Sequence, residues 1–222
     1  MMLASASSLQ AAPVLVTSPG ALAPNDSVNW SQLGPDGATI PASFSATSAN
    51  SLAVAGSLAG TDGCVAVVGG SVCGWTAGPG FAAGDFVIWT ENSSGAGSGP
   101  LSLSFPSVLG AGLWLQATAF GPFTAQIQAF NGLSSLGTFS ESSNAAGDGI
   151  FIGVLDSIAD ITKITLSLTS CAGGCDVADF GVNSLLLREV RQAVPEPATL
   201  SLLLLGSGLA LARRRRPVVT AA

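Results

Sequence analysis

The sequence predicts an all-β body, a single β-sandwich or jelly-roll-like domain, followed by one C-terminal transmembrane helix. Short segments of alternating apolar and polar residues are separated by turns rich in Gly, Pro and Asn. Long stretches with a 3.6-residue period are absent before the last thirty or so residues. Because charged residues make up only 9% of the chain and apolar residues 48%, we expect the body to be folded.

Three regions are predicted along the chain. Residues 1–23 are interpreted as an incomplete signal peptide, 24–193 as a β-sandwich domain, and 194–217 as a separate C-terminal segment. Ala21-Leu22-Ala23 has the small-x-small pattern of a cleavage site, but no basic residue precedes it. A start assigned at too late a Met, or an upstream piece that was lost, would both account for this pattern. No shift in composition divides 24–193, so a single domain with its own core is expected.

The body is predicted to consist of about eight to ten strands. The clearest alternation places Phe123, Ala125, Ile127 and Ala129 on one face, and Asn131-Gly132 after them favours a hairpin turn. The short segments that lie between turn signals, in chain order, are 30–33, 44–58, 86–90, 101–105, 112–120, 123–130, 136–140, 150–154, 161–168 and 180–188.

The C-terminal segment combines three features in a fixed order. Val194-Pro195-Glu196-Pro197 comes first, and its prolines prevent a helix from extending backwards. Ala198 to Ala212 follows without a charge and would reach about 22 Å as a helix, against ~30 Å for the hydrocarbon core. Arg213, Arg214, Arg215 and Arg216 then supply the positive cluster that stays on the cytoplasmic side and snorkels to the headgroups. A transmembrane helix is therefore predicted; the alternative is a core helix followed by a solvated basic tail.

This arrangement resembles the PEP-CTERM sorting signal of exported bacterial proteins. The resemblance rests on Pro195-Glu196-Pro197, the apolar segment and the arginine cluster, and it covers about the last thirty residues. It implies that the chain is an exosortase substrate, cut near Pro-Glu-Pro by a membrane protease with a catalytic Cys. The expected product begins as an exported, membrane-anchored precursor and ends at the cell surface or outside the cell.

The body is similar to β-sandwich ectodomains found upstream of such signals. The similar blocks are 121–132, 151–154 and 179–185. Related sandwich modules use acids of the last strand for a structural calcium, or bind sugars through exposed loops. Asn183 stands where those modules commonly have Asp, which weakens the expectation of calcium.

Charge distribution limits the possible partners. Twelve of the thirteen acidic residues, but only three of the seven basic ones, precede Val194. An acidic body has no electrostatic footprint for nucleic acid, so no nucleic-acid partner is expected. The basic cluster instead suits a membrane surface.

Four cysteines, Cys64, Cys73, Cys171 and Cys175, allow three pairings. Local Cys64–Cys73 and Cys171–Cys175 disulfides are the simplest prediction, because an exported body lies where disulfides persist. Free or buried thiols, and a zinc site with four thiolates, are the alternatives.

The residue inventory argues against an enzyme. Histidine is absent, and the only lysine, Lys163, is interpreted as a cation on a strand face. The close acid pairs Asp156/Asp160 and Asp176/Asp179 would be needed for glycoside hydrolysis, but turn-like surroundings favour a structural role. Asp176 and Asp179 are also weak calcium candidates; otherwise no cofactor is expected.

We therefore expect a non-enzymatic surface protein associated with extracellular polysaccharide. The alternative is a carbohydrate-binding module that uses loop acids and Trp75, the one Trp whose glycine-rich flanks indicate exposure. Trp89 and Trp114 lie in apolar runs and are predicted to pack in the core. A glycoside hydrolase is the least supported reading.

Overall fold

The computed structural model describes residues 12–190, in which thirteen strands and two short helices occur. The helices are α1 (Pro19–Leu22) and a 3-10 helix (Trp30–Leu33). The strands are β1 (Val14–Val16), β2 (Asp26–Val28), β3 (Thr39–Thr47), β4 (Ala53–Val67), β5 (Phe86–Trp89), β6 (Leu101–Val108), β7 (Gly110–Ala117), β8 (Phe123–Asn131), β9 (Ser134–Ser142), β10 (Ile150–Leu155), β11 (Ile161–Cys171), β12 (Phe180–Val182) and β13 (Leu185–Arg188).

All thirteen strands belong to one continuous antiparallel sheet, so the all-β prediction is confirmed. The main path runs β1-β10-β7-β12-β5-β4-β6-β11-β8-β9, with β13 paired to β2 and β7, and β3 paired to β4. The sheet curves back on itself, because β10 contacts β8 and β9, and β11 contacts β7, without sharing a ladder with them. The apolar side chains between these strands form the main core.

Two predicted segments are each divided into two strands. Segment 44–58 turns back between β3 and β4, where the Oγ of Ser48 accepts a hydrogen bond from the N–H of Leu52 and Ser51 adopts a φ of 71°. Segment 180–188 is interrupted between β12 and β13 by Asn183, whose side-chain oxygen accepts from the N–H of Ser184. Short polar side chains that bond to nearby backbone favour such breaks. The hairpin after Asn131 forms as predicted, with Gly132 at a φ of 58°.

The N-terminal residues from Val14 onward take part in the fold. β1 pairs with β10, and Ser18 caps α1 by accepting a hydrogen bond from the N–H of Ala21. Leu22 is fully buried and packs in one cluster with Val16 and Phe151. The strand β1 and Leu22 both lie within the segment 1–23. Removal of residues up to Ala23 would therefore remove one strand and one buried leucine.

The predicted transmembrane helix and sorting signal, 194–217, lie outside the described residues. Within residues 12–190, no helix has the length and apolar character needed to cross a bilayer.

Leu22→Ala should lower the free energy of unfolding by about 2–5 kcal/mol, because it leaves a cavity beneath α1. Val14→Ala is the control: its side chain is 55% exposed on the same segment, and we expect a change within about 0.5 kcal/mol. Urea unfolding followed by tryptophan fluorescence measures both. Equal stabilities for the two variants would show that residues 14–22 do not contribute to the folded body.

Candidate functional site

A second, smaller apolar cluster lies on the outer face of β7, β12, β5 and β4. It is covered by the connection between β4 and β5, residues 68–85, which we call the covering loop. The cluster consists of Ala66, Val68, Trp75, Phe81 and Val87, with Cys73, Trp89 and Trp114 packed against it. It is separate from the main core, and the residues around it form the candidate site.

The register of four strands explains why the covering loop packs there. Gln116, Gly181 and Trp89 are direct cross-strand neighbours on β7, β12 and β5, and Cys64 on β4 continues the row. Gly181 leaves a gap that the Trp75 indole fills, since a Cβ at Gly181 would lie 2.7 Å from that ring. The Trp75 Nε1 donates a 2.9 Å hydrogen bond to the Oε1 of Gln116.

The prediction that Trp75 is an exposed ring is therefore wrong. Trp75 is only 7% exposed, because its ring packs against Trp89 and Phe81 with centroids 5.7 and 5.9 Å away. Trp89 and Trp114, predicted to lie in the core, are instead half-buried on the outer face. The Trp75 ring thus supports the Trp89 ring, and Trp89 lines the two openings described below.

Both predicted local disulfides are present, so no free thiol remains for a zinc site. Cys64–Cys73 joins β4 to the covering loop two residues before Trp75, with a Cα–Cα distance of 6.7 Å. Cys171–Cys175 closes the end of β11, with a Cα–Cα distance of 5.9 Å. The Cys64–Cys73 bridge thus holds the covering loop to the outer face of the sheet.

Asp36 fixes the same end of the covering loop as the Cys64–Cys73 bridge. Its Oδ2 accepts 3.0 Å hydrogen bonds from the backbone N–H groups of Ser71 and Val72, and its Oδ1 accepts from those of Val67 and Cys73 at 3.2 Å. These donors, Val72 first, outweigh the effect of burial and hold the pKa of Asp36 below its ordinary value. The carboxylate thus stabilises the fold in its charged form.

Three carboxylates lie next to this aromatic row. Glu91 lies two residues after β5, where its backbone pairs with that of Gly97, and its carboxylate is repelled by that of Asp179. Asp62, on β4, lines the same opening as Glu91. Asp179 accepts a 2.7 Å hydrogen bond from the Nε1 of Trp89.

Electrostatics distinguishes these three groups. Burial, and then repulsion from Asp179, raises the pKa of Glu91. Burial also raises the pKa of Asp179, although hydrogen bonds from Thr118 and Trp89 oppose the shift. The pKa of Asp62 is lowered, chiefly by its hydrogen bond from Thr61. A carboxylate with a raised pKa at the edge of a cleft, as Glu91 is, is a recognised mark of functional sites.

Two openings flank the Trp89 ring. The larger, which we call the acidic cleft, has a volume of about 460 Å³, within the range typical of small-ligand sites. The smaller, of about 90 Å³, lies beside Trp75, Gln116 and the exposed Phe120. The acidic cleft is lined by Gly37, Thr39, Asp62, Gly63, Cys64, Val72, Cys73, Trp89, Glu91, Asn92, Ser93 and Gly95.

The acid pairs named from the sequence have structural partners. Asp176 accepts backbone hydrogen bonds from Ala178 and Gly97, which ties two loops together. Asp156 is buried and accepts from the N–H of Ile158, within the turn that also contains Asp160. Among residues 12–190, no three acidic or cysteine side chains gather as a metal site. Calcium at Asp176 and Asp179 stays a prediction.

Asn183 uses its amide as a donor. Its Nδ2 donates to the carbonyl oxygen of Gly80 at 2.6 Å and to the Oδ2 of Asp85 at 2.7 Å, and so attaches the covering loop to β12. A carboxylate in this position would have no proton to donate to either oxygen. The amide in place of Asp therefore has a local structural reason.

A polar surface occupies a different part of the sheet. Direct cross-strand neighbours on β3, β4, β6, β11, β8 and β9 form one outward row of hydroxyl and amide side chains: Ser43, Ser57, Ser102, Thr165, Gln128 and Thr138. We call this row and its surroundings the polar face. Lys163 lies in it with its Nζ 3.9 Å from the centroid of the Phe130 ring, so it is a strand-face cation with an aromatic partner.

Sequence reasoning missed the pair Asp62 and Glu91 and the role of Trp89. Asp62 is two residues before Cys64, and Glu91 is two residues after Trp89, so each shares a sheet face with a residue that the sequence had marked. Asp62 and Glu91 come to the same region only because the strand register places Cys64 opposite Trp89.

Comparison with known proteins locates one motif. Residues 193–216 match the PEP-CTERM protein-sorting motif. No curated protein and no solved structure matches the chain.

Asp36→Asn should destabilise the protein by about 1–3 kcal/mol at neutral pH, because an amide nitrogen replaces an oxygen that accepts backbone N–H groups. Since the pKa of Asp36 is lowered, its stabilisation is complete above the ordinary value of 3.8 and disappears as pH falls through the lower folded-state value. The difference between variant and wild type should therefore shrink in acid. Asp148→Asn, whose carboxylate accepts one side-chain hydrogen bond, is the control in thermal unfolding at pH 7 and pH 3.

Proposed function

We propose that the protein is an exosortase client that reaches the cell surface as a membrane-anchored precursor and acts there without catalysis, in association with extracellular polysaccharide. The observation that carries the sorting part is the match of residues 193–216 to the PEP-CTERM protein-sorting motif. The motif is the substrate element, so the exosortase is the processing partner.

The chemistry of the tail supplies the mechanism of sorting. The apolar segment 198–212 enters the bilayer, and the four arginines hold its end at the cytoplasmic side. Because proline has no N–H and disfavours a helix before it, Pro195 and Pro197 keep the Pro-Glu-Pro site extended outside the membrane. An extended segment is accessible to a protease, whereas a helix is not.

Two disulfides in the body support export. Disulfides persist in oxidising compartments and are rare where thiols are kept reduced. The Cys64–Cys73 bridge also joins the covering loop to the sheet, so oxidation and correct folding of the outer face are linked. The sorting motif and the disulfides thus both support export to an oxidising compartment.

The polar face supports association with polysaccharide. Its side chains are hydroxyls and amides in register, and some already bond to one another, as the 2.9 Å contact between the Ser102 and Thr165 hydroxyls shows. A largely uncharged array of donors and acceptors suits a neutral or weakly charged polyhydroxylated chain. Such a surface supports a binding role and supplies no acid–base pair.

A carbohydrate-binding module is the alternative form of the same proposal. The notion that Trp75 would stack on a sugar is excluded by its burial, but Trp89 and the carboxylates of the acidic cleft are favoured by their position at an opening. Glycoside hydrolysis has less support, because both oxygens of Asp176 already accept backbone N–H groups. We therefore propose binding in preference to turnover.

Mass spectrometry of the protein from its native cell tests the sorting proposal. The wild-type chain should yield a mature C-terminus near Pro195, whereas replacing Pro195, Glu196 and Pro197 by alanine should leave the tail intact in the membrane fraction. Replacing Val218 by alanine, beyond the arginine cluster, should not alter processing. Full-length wild-type protein in the aqueous fraction with reduced thiols would overturn the proposal.

Co-sedimentation with matrix polysaccharide from the same cells tests the second part. The triple variant Ser102→Ala, Thr165→Ala, Gln128→Ala should lose at least about tenfold in apparent affinity, because each replacement removes one or more hydrogen-bonding groups. Thr17→Ala, an exposed hydroxyl on another part of the surface, is the matched control. Equal sedimentation of the triple variant and wild type would show that the polar face is not the binding surface.

A further inference from the structure

We infer that the acidic cleft recognises the ammonium group of an amine-bearing sugar unit, with Glu91 and Asp62 as anions and Trp89 as an aromatic wall. This inference rests on the proposed association with polysaccharide and names both the chemical class of the ligand and the residues that select it.

The charge of the cleft points to a cation. Glu91 and Asp62 line it, and Asp179, which accepts a hydrogen bond from the Trp89 Nε1, repels the Glu91 carboxylate. None of its lining residues is basic. The two basic residues among 12–190 lie elsewhere: Lys163 sits over Phe130, and Arg188 donates to the carbonyl oxygen of Leu22. An anionic ligand would be repelled, and a neutral one would leave the repulsion among the carboxylates in place.

Glu91 is the group available to a ligand. Asp62 already accepts from the Thr61 hydroxyl at 2.7 Å and from the N–H of Ser93 at 3.3 Å. The hydrogen bonds among residues 12–190 include none to the Glu91 carboxylate, although it is partly buried. An ammonium group donates three hydrogen bonds. It would supply the partners that the Glu91 carboxylate lacks and would offset the repulsion between Glu91 and Asp179.

Trp89 is held in place for an aromatic contact. Its Nε1 is bonded to Asp179, and its ring meets Trp75 edge to face at an interplanar angle of 74°. Cations bind favourably to tryptophan rings, and more so where water is partly excluded. Because the ring is fixed on a strand and supported by a buried indole, little side-chain entropy remains to be lost on binding.

The rim of the cleft suits the hydroxyls of a sugar. Thr39, Asn92 and Ser93 supply hydroxyl and amide groups beside the two carboxylates. The Asn92 Oδ1 is occupied by the N–H groups of Ser94 and Ala96, which leaves its Nδ2 as the donor for a ligand. A volume of about 460 Å³ is enough for one or two sugar rings.

Isothermal titration calorimetry of the full chain in detergent tests this assignment. Three probes are compared: a trisaccharide of glucosamine, its fully N-acetylated counterpart, and cadaverine, an amine without a sugar. The glucosamine trisaccharide should bind at least about tenfold more tightly than either of the others, because only it offers both the cation and the hydroxyls.

Glu91→Gln should weaken binding of the glucosamine trisaccharide at least about tenfold, and Trp89→Phe should weaken it to a smaller extent. Glu141→Gln, a carboxylate on β9 outside the cleft, is the matched control and should bind like wild type. Glu91→Gln keeps the size of the side chain, and a cooperative thermal unfolding transition verifies that each variant is folded. Affinity should also fall in acid as Glu91 becomes protonated, with Asp62, Asp176 and Asp179 as the other acids of this region.

Equal affinity for the acetylated and free trisaccharides would overturn the inference, since charge would then not be recognised. Cadaverine binding as tightly as the amino sugar would overturn the assignment to a sugar. If matrix polysaccharide still co-sediments with the protein while glucosamine trisaccharide does not bind, the cleft assignment fails and the polysaccharide association stands.

Discussion

The outer face of the sheet depends on the contact between Trp75 and Gly181. A residue without a side chain on β12 leaves space for an indole to lie against the sheet, and the indole carries the covering loop with it. Any Cβ at Gly181 would meet the ring at 2.7 Å, closer than real Cβ contacts occur, and would displace either the ring or the strand. The same indole orients Trp89, and Trp89 forms one wall of the acidic cleft.

Independent interactions hold the same loop from different directions. The Cys64–Cys73 bridge fixes it to β4, the Asp36 carboxylate gathers four of the backbone N–H groups around it, and the Asn183 amide ties its far end to β12. A disulfide of this kind contributes roughly 2–4 kcal/mol and a buried indole a similar amount. Because the constraints converge, the cleft floor is rigid, while its rim is made of short loops.

The sequence was most informative where interactions are local. The β8–β9 hairpin follows from alternation and Asn131-Gly132, and the disulfides from cysteines nine and four residues apart. Trp75 was misjudged because glycine-rich flanks indicate a loop but say nothing of Gly181, more than a hundred residues later, on which the ring packs. That Asp62 and Glu91 line one opening likewise depends on how β4 and β5 are paired, which periodicity cannot supply.

Two pairs of acids in this body differ in the direction of their pKa shifts. Asp36 and Asp176 have lowered pKa values because backbone N–H groups favour their charged forms, so they stabilise the fold at neutral pH. Glu91 and Asp179 have raised values, which means that their charged forms cost stability once pH exceeds the ordinary values of 4.5 and 3.8. A glutamine would avoid that cost at position 91 with the same volume. A carboxylate that weakens the fold, has no hydrogen-bond donor among residues 12–190 and borders a cleft beside a fixed indole is what a binding site for a cation requires.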